Sequence, residues 1–217
     1  MEKIGIIFDM DGTLWDSAEG VAACWTEVVR KDYPNKEVEA PVITKDKIQS
    51  VMGLTMDKLA EGVFPELEEE ERMVLLDKCC NAENAYLEKH GGVLYPDVEN
   101  TLMELKKKYH LYIVSNCQSG YIEAFLKYYG FEKYFDDIEC YGNNNLKKGD
   151  NIRLVAKRNS LDKAVYVGDI QGDYVASVEA EVLFIHAAYG FGQMEQEVPS
   201  IHKFSELETK VDKLWQR

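Results

Sequence analysis

The chain has 217 residues, which is long enough to bury a sizeable core in one large domain or two small ones. Hydrophobic residues make up 46% of the sequence, so we expect a globular fold rather than a disordered chain. The 25 lysine and arginine residues are outnumbered by 39 aspartate and glutamate residues, and the net charge of −14 argues against nucleic acid or an anionic membrane as a partner.

The cysteines and the first residues indicate the compartment. There are five cysteines, an odd number with no CxxC spacing, so the sequence predicts neither a disulfide framework nor a zinc site. The apolar run at residues 4–8 is too short for a signal peptide and is followed by Asp9, and no stretch is long enough to span a membrane. We therefore expect a cytoplasmic protein without a membrane partner; these features leave its oligomeric state open.

Short apolar segments alternate with amphipathic ones along most of the chain. Segments rich in β-branched or aromatic residues predict strands at residues 3–8, 111–115, 138–142, 164–168 and 182–186. Helical periodicity predicts helices near residues 97–108, 118–129, 150–159, 171–180 and 203–214. This alternation, with apolar runs that suit strands covered on both faces, predicts an α/β fold with a doubly wound parallel sheet.

A long segment without strand patterns interrupts this alternation after the first strand. Between Ser17 and about Gly92 the sequence predicts helices near residues 17–32, 44–61 and 66–89. A segment of this length is too long for a simple strand-to-helix connection. We therefore predict an α/β core domain of residues 1–16 and 91–217 and an inserted α-helical cap domain of residues 17–90.

Reactive residue types follow several of the predicted strands at the point where each strand ends. In open α/β sheets, ligands bind beyond these carboxyl ends. The residues concerned are acids, a hydroxyl, an amide and lysines: Asp9, Asp11, Ser115, Asn116, Lys147, Lys148, Asp169 and Asp173. Carboxylates that lie close together are costly to bury unless a cation lies among them. A hard divalent ion held by carboxylates and water, Mg²⁺, fits this set best.

Each of these residues also has an ordinary structural explanation. An aspartate after a strand commonly caps a helix, Ser115-Asn116 is a common turn sequence, and Lys147-Lys148 is typical of solvated surface. Their order at successive strand ends favours a common site over these separate explanations.

Four segments together resemble the four motifs of the haloacid dehalogenase superfamily: FDMDGTLWDS, VSNCQ, the Lys147-Lys148 pair and VGDIQGD. The resemblance extends from residue 4 to about residue 190, and the inserted helices resemble the α-helical cap of that superfamily. The most similar branch is that of the phosphoglycolate-phosphatase-like enzymes. The resemblance implies a Rossmann-like core and a Mg²⁺-dependent phosphatase that hydrolyses small phosphorylated metabolites.

The resemblance also implies roles for individual residues. Asp9 is the expected nucleophile, which forms an aspartyl-phosphate, and Asp11 is the expected general acid and then base. The expected metal ligands are Asp9, Asp169 and Asp11, the last through its backbone carbonyl. Whether Asp173 touches the metal is left open.

Four further residues of the motifs are expected to bind or approach the phosphoryl group. Ser115, Asn116 and a lysine would contact its oxygens, and Gly12 would let the backbone approach it closely. The predicted lysine is Lys148, directly before a helix expected to begin at Gly149-Asp150, and Lys147 is the alternative.

Two alternative functions remain open from the sequence. A phosphosugar mutase of the same superfamily would keep Asp11, whereas dehalogenases and phosphonatases lack this second acid. A non-enzymatic domain that accepts a phosphoryl group or binds a phosphorylated ligand combines similar residues, but the intact pair of Asp9 and Asp11 favours an enzyme. Substrate specificity is expected to lie in the cap, with Gly53-Leu54-Thr55 and Trp15 as candidates.

Overall fold

A computed structural model describes residues 2–35 and 37–215 of the chain. The strands of this part are β1 (Ile4–Phe8), β2 (Trp15–Asp16), β3 (Val93–Leu94), β4 (His110–Ser115), β5 (Asp137–Cys140), β6 (Lys163–Gly168), β7 (Leu183–Ala187) and β8 (Ser200–Ile201). The helices are α1 (Ala18–Asp32), α2 (Lys45–Val51), α3 (Met56–Val63), α4 (Glu69–His90), α5 (Val98–Leu105), α6 (Tyr121–Tyr129), α7 (Tyr141–Asn144), α8 (Lys148–Arg158), α9 (Gln171–Glu179) and α10 (Leu207–Trp215). A 3₁₀ turn, Phe204–Glu206, precedes α10.

Six of the strands form one parallel sheet in the order β5-β4-β1-β6-β7-β8. β1 lies inside this sheet and pairs with β4 on one side and β6 on the other. Ile6 and Phe8 belong to one hydrophobic cluster and Ile7 to a second one, because successive side chains of a strand point to opposite faces. Both faces of the sheet are therefore covered, which confirms the predicted doubly wound α/β fold.

The inserted helices α1 to α4 lie between β2 and β3, which form a short antiparallel pair. Trp15 is opposite Leu94 and Asp16 is opposite Val93, so the chain enters and leaves the insertion at the same place. α1 packs along α4, and α2 packs against α1 and α3. The predicted helical insertion is confirmed. Its boundaries as a separate domain, residues 17–90, stay a prediction, because α4 also packs against α6 of the core.

Several elements differ from their prediction. Residues 44–61, predicted as one helix, form α2 and α3 because Gly53 has a φ of 80°, a left-handed conformation that interrupts a helix. α8 begins at Lys148, earlier than the predicted start at Gly149-Asp150. The short strand β8 is not predicted, since two residues are too few to show an alternating pattern.

A run of acidic residues lies at the start of α4. Glu69, Glu70 and Glu71 form its first turn and are exposed, where the helix dipole favours negative charge. Among the helices of residues 2–35 and 37–215, none combines the length and the apolar character that crossing a bilayer requires.

Candidate active site

The carboxyl ends of three adjacent strands bring the predicted residues together. Asp9 directly follows β1, Ser115 ends β4 and Asp169 directly follows β6. Because β1 pairs with both other strands, the three positions lie at one edge of the sheet. All three residues are almost completely buried. The structure thus places the first, second and fourth motifs at a common site.

A cluster of three buried carboxylates surrounds one lysine at this edge. Carboxyl oxygens of Asp9, Asp169 and Asp173 all lie within 4.8 Å of one another. Lys148 donates to Asp9 Oδ1 over 2.9 Å and to Asp173 Oδ1 over 2.6 Å. The other oxygen of Asp173 accepts hydrogen bonds from the backbone of Asp169, at 3.0 Å, and of Ile170, at 3.2 Å. Both oxygens of Asp173 are therefore occupied by protein donors.

The start of α8 decides which lysine reaches the cluster. Lys148 is the first residue of the helix and is 5% exposed, whereas Lys147, the residue before it, is exposed to solvent. Burial lowers the pKa of Lys148, but the carboxylates of Asp173 and Asp9 outweigh this effect and raise the pKa above its usual value. Lys148 therefore carries its positive charge inside the protein.

The pKa values of Asp9 and Asp169 in the cluster are raised above their usual range. Burial raises the pKa of Asp9 to about 6, although the charge of Lys148 lowers it. Burial, followed by the charges of Asp173 and Asp9, raises the pKa of Asp169 well above its usual value. One lysine does not balance three acids, and a divalent ion would supply the missing positive charge. Carboxylate oxygens are the ligands that Mg²⁺ prefers, so these residues fit the predicted metal.

Glycines make room for Asp169 beside Asp9. Gly12 has a φ of 78°, and a Cβ atom there would collide with the Asp169 carboxylate, as would one at Gly190. The backbone nitrogen of Phe191 donates to Asp169 Oδ2 over 2.7 Å. The loop of Gly190 and Phe191 therefore positions this carboxylate. No predicted site residue lies in this loop, because its contact with Asp169 is formed only in the folded chain.

Asp11 has a different environment from Asp9. Ser17 donates to Asp11 Oδ1 over 2.7 Å, and the Tyr121 hydroxyl lies 2.8 Å from each Asp11 carboxyl oxygen. Burial raises the pKa of Asp11 to about 7, although the hydrogen bonds from Ser17 and Tyr121 lower it. Asp11 thus takes up and releases a proton near neutral pH. Tyr121 lies outside the four motifs, and no local signal identifies it.

Asn116 connects the core to the insertion. Its Nδ2 atom donates to the backbone oxygen of Gly53 over 2.9 Å, and its Oδ1 atom is buried without a hydrogen-bond partner. Gly53 lies between α2 and α3, so this bond brings the loop that was proposed for specificity to the sheet edge. Trp15, the other candidate for specificity, is fully buried and packs against Tyr121 and Phe125 in the hydrophobic core.

A cavity of about 50 Å³ lies beside Asp11, between the sheet edge and the inserted helices. Ser115 and Asn116 of the core line it, as does Glu83 of the inserted helix α4. Glu83 Oε2 accepts a hydrogen bond from Trp25 Nε1 at 2.5 Å, and Glu83 Oε1 accepts one from Gln118 Nε2 at 3.2 Å. Burial raises the pKa of Glu83 to about 8, although the hydrogen bonds from Gln118 and Trp25 lower it. Glu83 is not among the site residues predicted from the sequence.

Comparisons with known proteins agree with this geometry. The sequence pattern of the haloacid dehalogenase-like hydrolases matches residues 6–187. The phosphoglycolate phosphatase of Psychrobacter arcticus is 27% identical, over 99% of this chain and 96% of that protein. The phosphoglycolate phosphatase of Escherichia coli (strain K12) is 26% identical, over 88% of this chain and 83% of that protein.

Solved structures share the fold. A predicted phosphoglycolate phosphatase from Haemophilus somnus superposes with a TM-score of 0.79 and 19% identity, over 97% of this chain and 98% of that chain. CbbY from Rhodobacter sphaeroides, a mutant in complex with xylulose 1,5-bisphosphate, superposes with a TM-score of 0.74 and 17% identity, over 95% of this chain and 96% of that chain. The predicted family and class of enzyme are confirmed: the chain belongs to the haloacid dehalogenase-like hydrolase family and is a phosphatase related to the phosphoglycolate phosphatases.

Proposed function

We propose that this phosphatase depends on Mg²⁺ and hydrolyses small phosphomonoesters through an aspartyl-phosphate on Asp9. The observation that carries the proposal is the contrast between its two acids. Asp9 is ion-paired with Lys148 among other carboxylates, whereas Asp11 is hydrogen-bonded to the hydroxyls of Ser17 and Tyr121. Two carboxyl groups in such different environments suit two different tasks, those of a nucleophile and of a general acid.

In the first step, a carboxylate oxygen of Asp9 attacks phosphorus and the bond from phosphorus to the ester oxygen breaks. The hydrogen bond from Lys148 to Asp9 Oδ1 orients the carboxylate and leaves Oδ2 available for the attack. Asp11 donates its proton to the departing oxygen, so the leaving group departs as a neutral alcohol. A pKa of about 7 means that a large fraction of Asp11 is protonated at neutral pH.

In the second step, a water molecule replaces the alcohol and attacks the phosphorus of the aspartyl-phosphate. Asp11, now deprotonated, accepts a proton from this water. The bond between phosphorus and Asp9 breaks, which releases inorganic phosphate and restores the Asp9 carboxylate. The acyl phosphate is readily hydrolysed, so one difficult reaction is divided into two easier ones.

Asp9, Asp169 and the backbone carbonyl of Asp11 would hold the metal ion. When bound, Mg²⁺ would reduce the repulsion between the Asp9 carboxylate and the anionic phosphate. The hydrogen bonds to both oxygens of Asp173 support a positioning role for this residue, which holds Lys148 and the backbone of Asp169 in place.

Ser115, Asn116 and Lys148 would bind the oxygens of the phosphoryl group. Ser115 and Asn116 line the cavity beside Asp11, and Lys148 reaches Asp9 from the neighbouring side. Hydrogen-bond donors held in place in this way stabilise the charge that develops during phosphoryl transfer. The left-handed backbone at Gly12 supports its role in a close approach to the phosphate.

The net charge of −14 supports small metabolites rather than nucleic acids as substrates. The cysteine pattern supports a cytoplasmic location. The proposal is tested by measuring phosphate release from a panel of phosphomonoesters, with Mg²⁺ and with excess EDTA. We expect many turnovers per protein molecule with Mg²⁺ and none with EDTA. A phosphosugar mutase would instead convert a phosphosugar to its isomer with little phosphate release. Turnover that persists after chelation would contradict the role of the metal.

A further inference from the structure

The cavity beside Asp11 is where the alcohol part of the substrate must lie. Asp11 protonates the leaving oxygen, so the atoms attached to that oxygen extend into the space next to this carboxyl group. Six side chains form most of the apolar wall of the cavity: Val21, Trp25, Ile48, Val51, Leu54 and Leu59. Its volume of about 50 Å³ leaves room for a group of few heavy atoms.

Two carboxyl groups, and no cation from the described residues, line this cavity. They are Asp11 and Glu83, and among the described residues of the wall none is a lysine, an arginine or a histidine. Lys148 does not line the cavity and is ion-paired with two buried aspartates. A carboxylate or a second phosphate in the cavity would therefore lose its hydration without gaining a cationic partner.

Glu83 provides a polar acceptor in the cavity wall. Each of its carboxyl oxygens accepts one hydrogen bond, from Trp25 and from Gln118. A carboxyl group keeps spare acceptor positions whether or not it carries a proton, so Glu83 has the capacity to accept a further bond from a ligand in the cavity. The side chain is 5% exposed, and a donor group from the substrate would replace water as its partner.

We propose that the alcohol part of the substrate is compact, carries no negative charge and presents a hydroxyl or ammonium donor to Glu83. Phosphate esters of neutral polyols and of amino alcohols have these properties. Phosphoglycolate, the compound in the names of the relatives described above, lacks them because its alcohol part carries a carboxylate. Sugar bisphosphates lack them because their alcohol part carries a second phosphate. This inference rests on the proposed function, because it concerns the leaving group in the same reaction.

The first test compares four substrates with the Mg²⁺-loaded enzyme. These are glycerol 3-phosphate, phosphoethanolamine, phosphoglycolate and p-nitrophenyl phosphate. We expect kcat/KM for glycerol 3-phosphate or phosphoethanolamine to exceed that for phosphoglycolate by about 100-fold, since a buried charge without a partner is strongly disfavoured. The relative values for the first two distinguish a hydroxyl from an ammonium donor. Phosphoglycolate turnover equal to or faster than both would overturn the inference.

The same panel separates this inference from the proposed function. If p-nitrophenyl phosphate and phosphoglycolate are hydrolysed but the other two are not, the phosphatase mechanism stands and the inference is wrong. If no member of the panel is hydrolysed, the proposed function fails and the inference fails with it.

A second test introduces the missing cation. Leu54 lines the cavity and is 37% exposed, so Leu54→Arg adds a guanidinium at the cavity mouth without burying it in the core. We expect kcat/KM for phosphoglycolate to rise about tenfold or more, because arginine binds carboxylates through paired hydrogen bonds. Leu54→Gln is the matched control, which changes polarity without adding charge. An equal rise in both variants, or a rise in neither, would overturn the electrostatic explanation.

Discussion

The hydroxyl group of Tyr121 lies 2.8 Å from each carboxyl oxygen of Asp11, a residue 110 positions earlier in the sequence. The same hydroxyl lies 2.8 Å from Ser17 Oγ, so Asp11 has two neutral donors as partners. Burial favours the protonated form of Asp11, and these donors favour the carboxylate. Their opposition holds the pKa of Asp11 at about 7, where one group can serve as acid and then as base.

Removal of the Tyr121 hydroxyl should change the pH dependence of the enzyme. Tyr121→Phe removes a donor to the carboxylate, so the pKa of Asp11 should rise by on the order of one unit. Asp11 donates a proton only when it is protonated, and the rate with an alkyl phosphate therefore falls as the pH rises through this pKa. In the variant this fall should move to higher pH in a profile of kcat against pH.

Tyr129→Phe is the matched control, since the Tyr129 hydroxyl donates to the backbone oxygen of Gly92 rather than to an acid. Its profile should follow that of the wild type. An identical shift in both variants would show that the effect does not depend on contact with Asp11.

Asp9→Asn should abolish turnover and keep the fold. The change removes the nucleophile with little change of shape. Since burial raises the pKa of Asp9 from its usual 3.8 to about 6, ionised Asp9 reduces stability as the pH rises through this range. At pH 7.5 without Mg²⁺, the Tm of the variant should therefore equal or exceed that of the wild type. Phosphate release at the wild-type rate from folded Asp9→Asn protein would contradict the covalent mechanism.

Asp11→Asn should affect substrates according to their leaving group. General acid catalysis contributes about 10²–10⁴-fold, and an alkoxide needs the proton far more than a p-nitrophenolate does. We therefore expect a large loss of kcat for an alkyl phosphate and a small loss for p-nitrophenyl phosphate. Equal losses with the two substrates would argue against Asp11 as the general acid.

The two adjacent lysines should differ strongly when replaced. Lys148→Ala leaves Asp9 and Asp173 buried without their cation, and breaking a buried ion pair typically costs about 3–5 kcal/mol. We expect a large loss in kcat/KM and a lower Tm, part of which Mg²⁺ should restore. Lys147→Ala changes an exposed side chain and should behave like the wild type. A larger loss of kcat/KM in Lys147→Ala would show that the assigned lysine is wrong.

Glu83→Gln should make the protein more stable at alkaline pH. Burial raises the pKa of Glu83 from its usual 4.5 to about 8, so the folded state binds its proton more tightly than the unfolded state. The contribution of protonated Glu83 to the free energy of unfolding is complete below about pH 4.5 and is lost as the pH rises to about 8. The free energy of unfolding, measured in urea without substrate, should increase in the variant relative to the wild type as the pH rises from 5 to 9.

Glu71→Gln, at an exposed position of the same helix, is the control for the loss of one negative charge. Its stability relative to the wild type should be nearly independent of pH. A change with pH as large as that of Glu83→Gln would argue against burial as the cause.

Local sequence was sufficient for most of the sheet. The segment 3–8 is predicted as a strand and β1 is observed at Ile4–Phe8, and the other four predicted strands differ from the observed ones by at most two residues at either end. Buried parallel strands are continuous apolar runs, which a sequence shows directly. The break between α2 and α3 is less visible, because Gly53 is tolerated in many helices and only its φ of 80° ends one here.

The fold class, the helical insertion and the order in which acids, a hydroxyl and lysines follow the strands are predictable from the sequence, because they are properties of neighbouring residues and of chain order. The folded structure was needed to show that Lys148 rather than Lys147 meets Asp9, because successive residues at a helix start point in different directions. It also decided the contact between Glu83 and Trp25, 58 positions apart, because the packing of α1 against α4 brings the two side chains together.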